Sequence, residues 1–185
     1  LSFSDHYFGS LEIFWGGEQG YRQKKPYWRE FGSGGGLAVA DLNKDGLVDF
    51  VIPGMFDAER KSYNTRTRVY LGTREGTPSE KPVAEVEAFG TIECAIADLN
   101  RDGELDLACT NYMSDQTRSI PMFVYWGQGG GHFSNDQRLK LEAESSAGIQ
   151  ALDLNGDGYR DLVVHNHLKD GKHTIPSSIY WNGKE

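Results

Sequence analysis

The stretch "DLNKDGLVD", Asp41 to Asp49, sets three aspartates and an asparagine at fixed intervals around a glycine. Side-chain oxygens of Asp41, Asn43 and Asp45 can face one centre if the chain wraps around it. Gly46 permits the sharp turn this needs, the backbone carbonyl of Leu47 can add an oxygen, and Asp49 can close the shell. The pattern returns as Asp98, Asn100, Asp102, Gly103, Glu104, Asp106 and again as Asp153, Asn155, Asp157, Gly158, Tyr159, Asp161. A flexible, all-oxygen shell of about six or seven ligands suits Ca²⁺ better than Mg²⁺, which demands a tight octahedron and keeps its waters. No loop holds Cys or His, so zinc is disfavoured. The expectation is three calcium ions, one per acidic loop.

Two other structures share parts of this pattern. A helix-flanked EF-hand or dockerin-like loop needs an acidic residue at its twelfth position, which here is Ile52, Cys109 or Val164. A single copy could be an Asx-rich hairpin turn. Three copies agreeing at the first, third, fifth, sixth and ninth positions favour a metal loop.

Such loops need elements to hold them, and the chain supplies these periodically. Asp41, Asp98 and Asp153 are 57 and 55 residues apart, and a second marker ("IFWG", "VYLG", "VYWG", "IYWN") begins at Ile13, Val69, Val124 and Ile179. Two markers keeping one period define an internal repeat. Each unit reads as four short strands: a small apolar strand before the loop, a second such as "VDFVIP" or "LDLACT", the marker strand, and, after a Gly-rich turn, a fourth in "PYWREF", "PVAEVEAF" and "QRLKLEA". The second strand is apolar on both faces, as burial between two layers requires. A period near 55 with four strands suits an all-β propeller of four-stranded antiparallel blades. We expect one repeat domain over 1–185: a partial blade at 1–36, blades at 37–91 and 92–147, and a partial blade at 148–185. About three blades cannot close a ring alone, so the rest of a longer chain or another copy is expected to complete it.

The bulk numbers agree. No run approaches the ~18 apolar residues of a membrane span. The absence of an initiating Met or leader reads as a mature or excised segment. A formal charge of −8 argues against nucleic acid, and three divalent cations would bring it to about −2. Cys94 and Cys109 fall where other copies hold Leu37 or Ile149 and Ile52 or Val164. Both therefore read as apolar core positions, and buried free thiols are expected. Because they flank one hairpin, a bridge would require Cα atoms within ~7 Å.

The connections between second and third strands are long, polar and different in each copy, and should lie on the face opposite the loops. Arg60, Tyr63, Tyr112, Asp115, His167 and Lys169 are the candidates there for ligand contact. His165 and His167 form an H-x-H pair, but no third ligand stands at the matching place in another copy. Trp15, Trp126 and Trp181 in the marker strand are expected to pack between blades. No nucleophile elbow, phosphate cradle or carboxylate pair stands apart from the acidic loops.

At the D-x-N-x-D-G-x-x-D loops, their flanking apolar strands and the "YWG" with its Gly-rich turn, the sequence resembles the FG-GAP/VCBS repeat family. These are the calcium-loop blades of integrin α-chain propellers and of many secreted bacterial proteins. The resemblance covers nearly the whole chain, although only Phe31-Gly32 and Phe89-Gly90 echo the "FG" of the family name. It implies a propeller, usually of seven blades, and carries Asp41, Asn43, Asp45, Asp49 and their counterparts over as calcium ligands. The function expected is a non-catalytic calcium-binding module, extracellular or cell-surface, with adhesion, protein or glycan binding on the face opposite the loops. The alternative is the propeller portion of a secreted polysaccharide lyase or hydrolase.

Overall fold

The computed structural model describes residues 9–18, 20–21, 27–32, 35–169, 171–173 and 175–183. Among them every regular element is a strand: β1 (Gly9–Ile13), β2 (Tyr27–Gly32), β3 (Ala38–Ala40), β4 (Asp49–Ile52), β5 (Asn64–Tyr70), β6 (Ala84–Phe89), β7 (Cys94–Ala97), β8 (Asp106–Cys109), β9 (Met122–Tyr125), β10 (Arg138–Leu141), β11 (Ser146–Leu152), β12 (Asp161–Asn166) and β13 (Ser178–Tyr180). They form four antiparallel meanders, β1-β2, β3-β4-β5-β6, β7-β8-β9-β10 and β11-β12-β13. Among the described residues β1 and β13, like β5 and β9, carry the marker and occupy the third-strand place of their sheets. The inner strands β3, β7 and β11 stand side by side. The described residues do not close a ring.

Three apolar layers hold the sheets together. Because strand side chains alternate between faces, β4 sends Phe50 and Ile52 towards the first sheet, where they pack with Phe31 and Tyr70. It sends Val51 the other way, against Leu107, Cys109, Phe123 and Tyr125 of the third sheet. β8 repeats this, its Ala108 joining Ile149, Leu162 and Val164 of the fourth. Every residue of β4, β8 and β9 is buried, as burial between two layers predicts.

The expectation of free thiols is corrected. Cys94 and Cys109 are disulfide-bonded, their Cα atoms 4.2 Å apart. They are direct partners in the β7–β8 register, so the repeat that made each an apolar position also placed them face to face. The marker tryptophans divide by position. Trp126 packs against the layer between the third and fourth sheets, whereas Trp15 and Trp181 are 40% and 62% exposed. Trp15 lies against Gly76 of the next sheet, as Leu71 lies against Gly131 of the sheet after.

Candidate metal centre

The acidic loops close identically. Ala40 pairs with Asp49, Ala97 with Asp106 and Leu152 with Asp161, so eight residues turn between the same two strand ends in each copy. The wrap needs left-handed backbone, supplied at Lys44 and Gly46 (φ 61° and 84°), Arg101 and Gly103 (62° and 91°), and Gly156 and Gly158 (77° and 85°). A non-glycine residue there is uncommon, yet the first two copies keep a long cation at the fourth position.

Within each loop the side-chain oxygens at positions one, three and five turn inward. Asp41 accepts from the amides of Asp45 and Gly46 at 3.1 and 2.9 Å. Asn43 accepts from Asp45 and gives its own amide to that carboxylate. Asp45 accepts from Leu47 at 2.8 Å. The third loop reproduces this set at Asp153, Asn155 and Asp157. In the second loop Asp98 accepts from Gly103, but its Oδ1 is buried with no hydrogen-bond partner. Asp102 stays ionised below the usual carboxylate range, held first by the Glu104 amide and then by Asn100.

The ninth-position aspartates have a further role that spacing did not disclose. Asp49, Asp106 and Asp161 are fully buried, and each bridges two backbone amides. One lies in the loop (Leu42, Leu99 or Leu154), the other just after the third strand (Gly72, Gly127 or Asn182), at 2.7–3.0 Å. Each carboxylate therefore ties its loop to the marker strand. In the first two copies this residue is a glycine in close approach, since a Cβ on Gly127 would stand 2.4 Å from the Leu105 carbonyl oxygen, whereas the third copy carries Asn182 there. Burial pushes the Asp106 carboxyl up, against the pull of its amide bonds.

Among the described residues no three His, Cys, Asp or Glu side chains form a metal-holding group. The expected donors include an asparagine and a backbone carbonyl, and the ninth aspartate is turned to amides. The fit to a hard divalent cation rests on the oxygen-only donor set and on Asp98 Oδ1. A buried unpaired carboxylate oxygen is costly, and a cation is the partner that its loop chemistry suits.

The six ligand-face candidates fall into two groups. Asp115 accepts from Ser62 Oγ and the Tyr63 amide at 2.7 and 2.6 Å, clasping the second sheet's connection to the third's. The Tyr63 ring packs on Phe56, and the Arg60 side chain is 80% exposed beside Asp57. In the second group His167 lies between Tyr112 and His173, with centroids 5.3 and 4.8 Å away. Arg118 covers Tyr112, and Lys169 pairs with Glu144. His167 is shifted down by burial and then by the charges of His173, Arg118 and His165. His165 itself is exposed beside Ser177. Trp28 is exposed as well. An open cleft of about 650 Å³ runs between the first two sheets, lined by Glu30, Phe56, Arg60, Arg66 and Arg68 among others.

Two buried asparagines were not singled out from the sequence. Asn111 and Asn166 each accept from the end of a preceding strand or turn (Phe89 or Glu144) and donate to a carbonyl before the third strand (Pro121 or Pro176). Both stand thirteen residues after the first aspartate of their loop, which was the signal available.

A family model of the FG-GAP-like repeat matches residues 98–164, which runs from the first aspartate of the second loop into β12 after the third. Over these residues the chain carries an FG-GAP-like repeat. It is 29% identical over 156 residues to phosphatidylinositol-glycan-specific phospholipase D of Rattus norvegicus, covering 73% of this chain and 18% of that protein. Integrin alpha-7 of Homo sapiens is 29% identical over 147 residues, covering 72% and 12%. Integrin alpha-5 of Xenopus laevis is 25% identical over 167 residues, covering 80% and 15%. The chain thus spans less than a fifth of each of these relatives.

Proposed function

We propose that these FG-GAP-like blades form a non-catalytic, calcium-stabilised module of an extracellular protein, with protein recognition on the face opposite the acidic loops. The observation that carries the calcium reading is the partnerless, buried Oδ1 of Asp98 in an oxygen-only loop. Asp41, Asn43, Asp45, Asp49 and the carbonyl of Leu47 would hold the first ion. Asp98, Asn100, Asp102, Asp106 and the carbonyl of Glu104 would hold the second, and Asp153, Asn155, Asp157, Asp161 and the carbonyl of Tyr159 the third. The ion supplies positive charge where aspartates otherwise repel one another. The protein's part is to fix the left-handed wrap and anchor it through the ninth aspartate.

The extracellular reading is supported by the Cys94–Cys109 disulfide, since such bonds persist in oxidising compartments. Extracellular calcium modules work near ~10⁻⁴–10⁻³ M, a range the cytosol does not supply. The names of the integrin relatives make a protein partner the reading to test first. The exposed Arg60 on the cleft between the first two sheets is the contact proposed for it. The phospholipase D activity named in those relatives belongs to much longer proteins.

Isothermal titration with Ca²⁺, against Mg²⁺ as control, tests the metal reading. Three sites filled by calcium at sub-millimolar to millimolar concentration are expected. A variant carrying Asp41→Asn, Asp98→Asn and Asp153→Asn should bind none. No heat from calcium in the unchanged, folded chain would sink the reading.

A further inference from the structure

The acidic loops touch one another through residues that are not among the side-chain donors. Lys44, fourth in the first loop, forms an ion pair with Glu104, seventh in the second. Arg101, fourth in the second loop, lies over the ring of Tyr159, seventh in the third, its guanidinium carbon 4.6 Å from the centroid. The chemistry differs, ion pair in one case and cation–π in the other, but the positions joined are the same. Both cations leave the backbone at φ near 61–62°, so the turn that wraps each loop also directs this side chain at its neighbour. Glu104 also lies beside Gly129, where an added Cβ would stand 3.6 Å from its carboxylate. The third loop has Gly156 at the fourth position, and with no side chain there the series stops.

The seventh residue is the one whose backbone carbonyl is assigned to the ion in the reading above. We infer that Lys44 and Arg101 couple neighbouring cation sites: ordering one loop around its ion fixes the side chain that orders the carbonyl-bearing residue of the next. This inference rests on the calcium reading. An empty loop, with aspartates repelling each other, holds its fourth residue loosely. A filled loop fixes it, and the contact then removes part of the freedom that Glu104 or Tyr159 must lose on binding. Linkage makes the effect reciprocal. Exposed ion pairs and cation–π contacts of this kind set the coupling at about two- to fivefold in affinity.

The test uses the full chain and terbium(III), an oxygen-seeking ion of calcium-like size whose emission is sensitised by a nearby aromatic ring. Tyr159 is the aromatic residue at the seventh position among the three loops, so it reports on the third site. Affinity is measured in four versions: unchanged, Asp98→Asn with Asp102→Asn to disable the second loop, Arg101→Met, and all three changes together. Circular dichroism of each shows that it folds. Disabling the second loop should weaken terbium binding at the third two- to fivefold in the unchanged background and leave it the same in the Arg101→Met background. The cycle cancels any direct effect of the arginine charge on the third site. An equal loss in both backgrounds, or none in either, would overturn the coupling while leaving calcium binding intact. No sensitised emission from the unchanged chain, together with no calcium heat, would overturn both.

Discussion

Replacing Asp106 with asparagine probes the ninth-position carboxylate as a structural tie separate from any metal. Asp106 is fully buried, and its two oxygens accept from Leu99 and Gly127 at 2.8 Å each. Asparagine keeps the shape but offers one oxygen and one NH₂ group, so one buried amide loses its acceptor and faces a donor. A hydrogen bond to a charged group contributes about 1.5–3 kcal/mol, and an orphaned buried donor costs about 1–3 kcal/mol. Against this, removing the charge relieves the burial that pushes the Asp106 carboxyl up. The net expectation is a loss of about 2–3 kcal/mol, rising to about 3–5 kcal/mol for Asp106→Ala, where both amides are orphaned. Urea unfolding in chelator should show a lower midpoint at unchanged slope. Asp102→Asn, exposed in the same loop, should leave the metal-free midpoint near that of the unchanged chain. The sign with pH follows from the raised value. Between the unfolded carboxylate range and the folded one the native state binds more protons, so stability falls as pH rises through that window. The asparagine variant should lack this slope. An Asp106→Asn midpoint equal to the unchanged chain in chelator would refute the tie.

Three other perturbations follow from the same geometry. Hydrogen bonds from Ser62 and then Tyr63 hold Asp115 below the usual carboxylate range. Its contribution should therefore be complete above the unfolded value near ~3.9 and lost as pH falls through the lower folded one, and an acid titration of Asp115→Asn should show a shallower decline than the unchanged chain. Cys94→Ser with Cys109→Ser opens a covalent loop of sequence separation 15 and should cost about 3 kcal/mol, read from the urea midpoint. Asn111→Ala strips Phe89, Thr91 and Pro121 of a partner inside the core and should cost about 2–4 kcal/mol, with thermal unfolding as the readout.

The architecture was legible because repetition carries it. Two markers with one period located the sheets, and the strands from β3 to β13 fall where the repeat put them. The disulfide was misread for the same reason. Comparing copies treats each column separately, and Leu37 with Ile52 or Ile149 with Val164 made the two cysteines look like ordinary apolar positions. What the columns do not hold is the register that sets Cys94 opposite Cys109. The tie made by Asp49, Asp106 and Asp161 was invisible because its partners are backbone amides, which any non-proline residue supplies. The contact of Lys44 with Glu104 spans sixty residues, and only the side-by-side packing of blades brings such positions together. On the opposite face, Asp115 was legible as polar and loop-borne, but its turn towards Ser62 and Tyr63 depends on how two sheets meet.

Thermal unfolding of the chain in EDTA, and then with increasing Ca²⁺ or Mg²⁺, tests the central claim most directly. Each site filled at a hundred times its dissociation constant stabilises the native state by about 2.7 kcal/mol. The account therefore predicts a midpoint that climbs with calcium, by steps that shrink as each loop's aspartates are replaced, and barely moves with magnesium. A chain that is folded in EDTA and melts at the same temperature at every calcium concentration would contradict it.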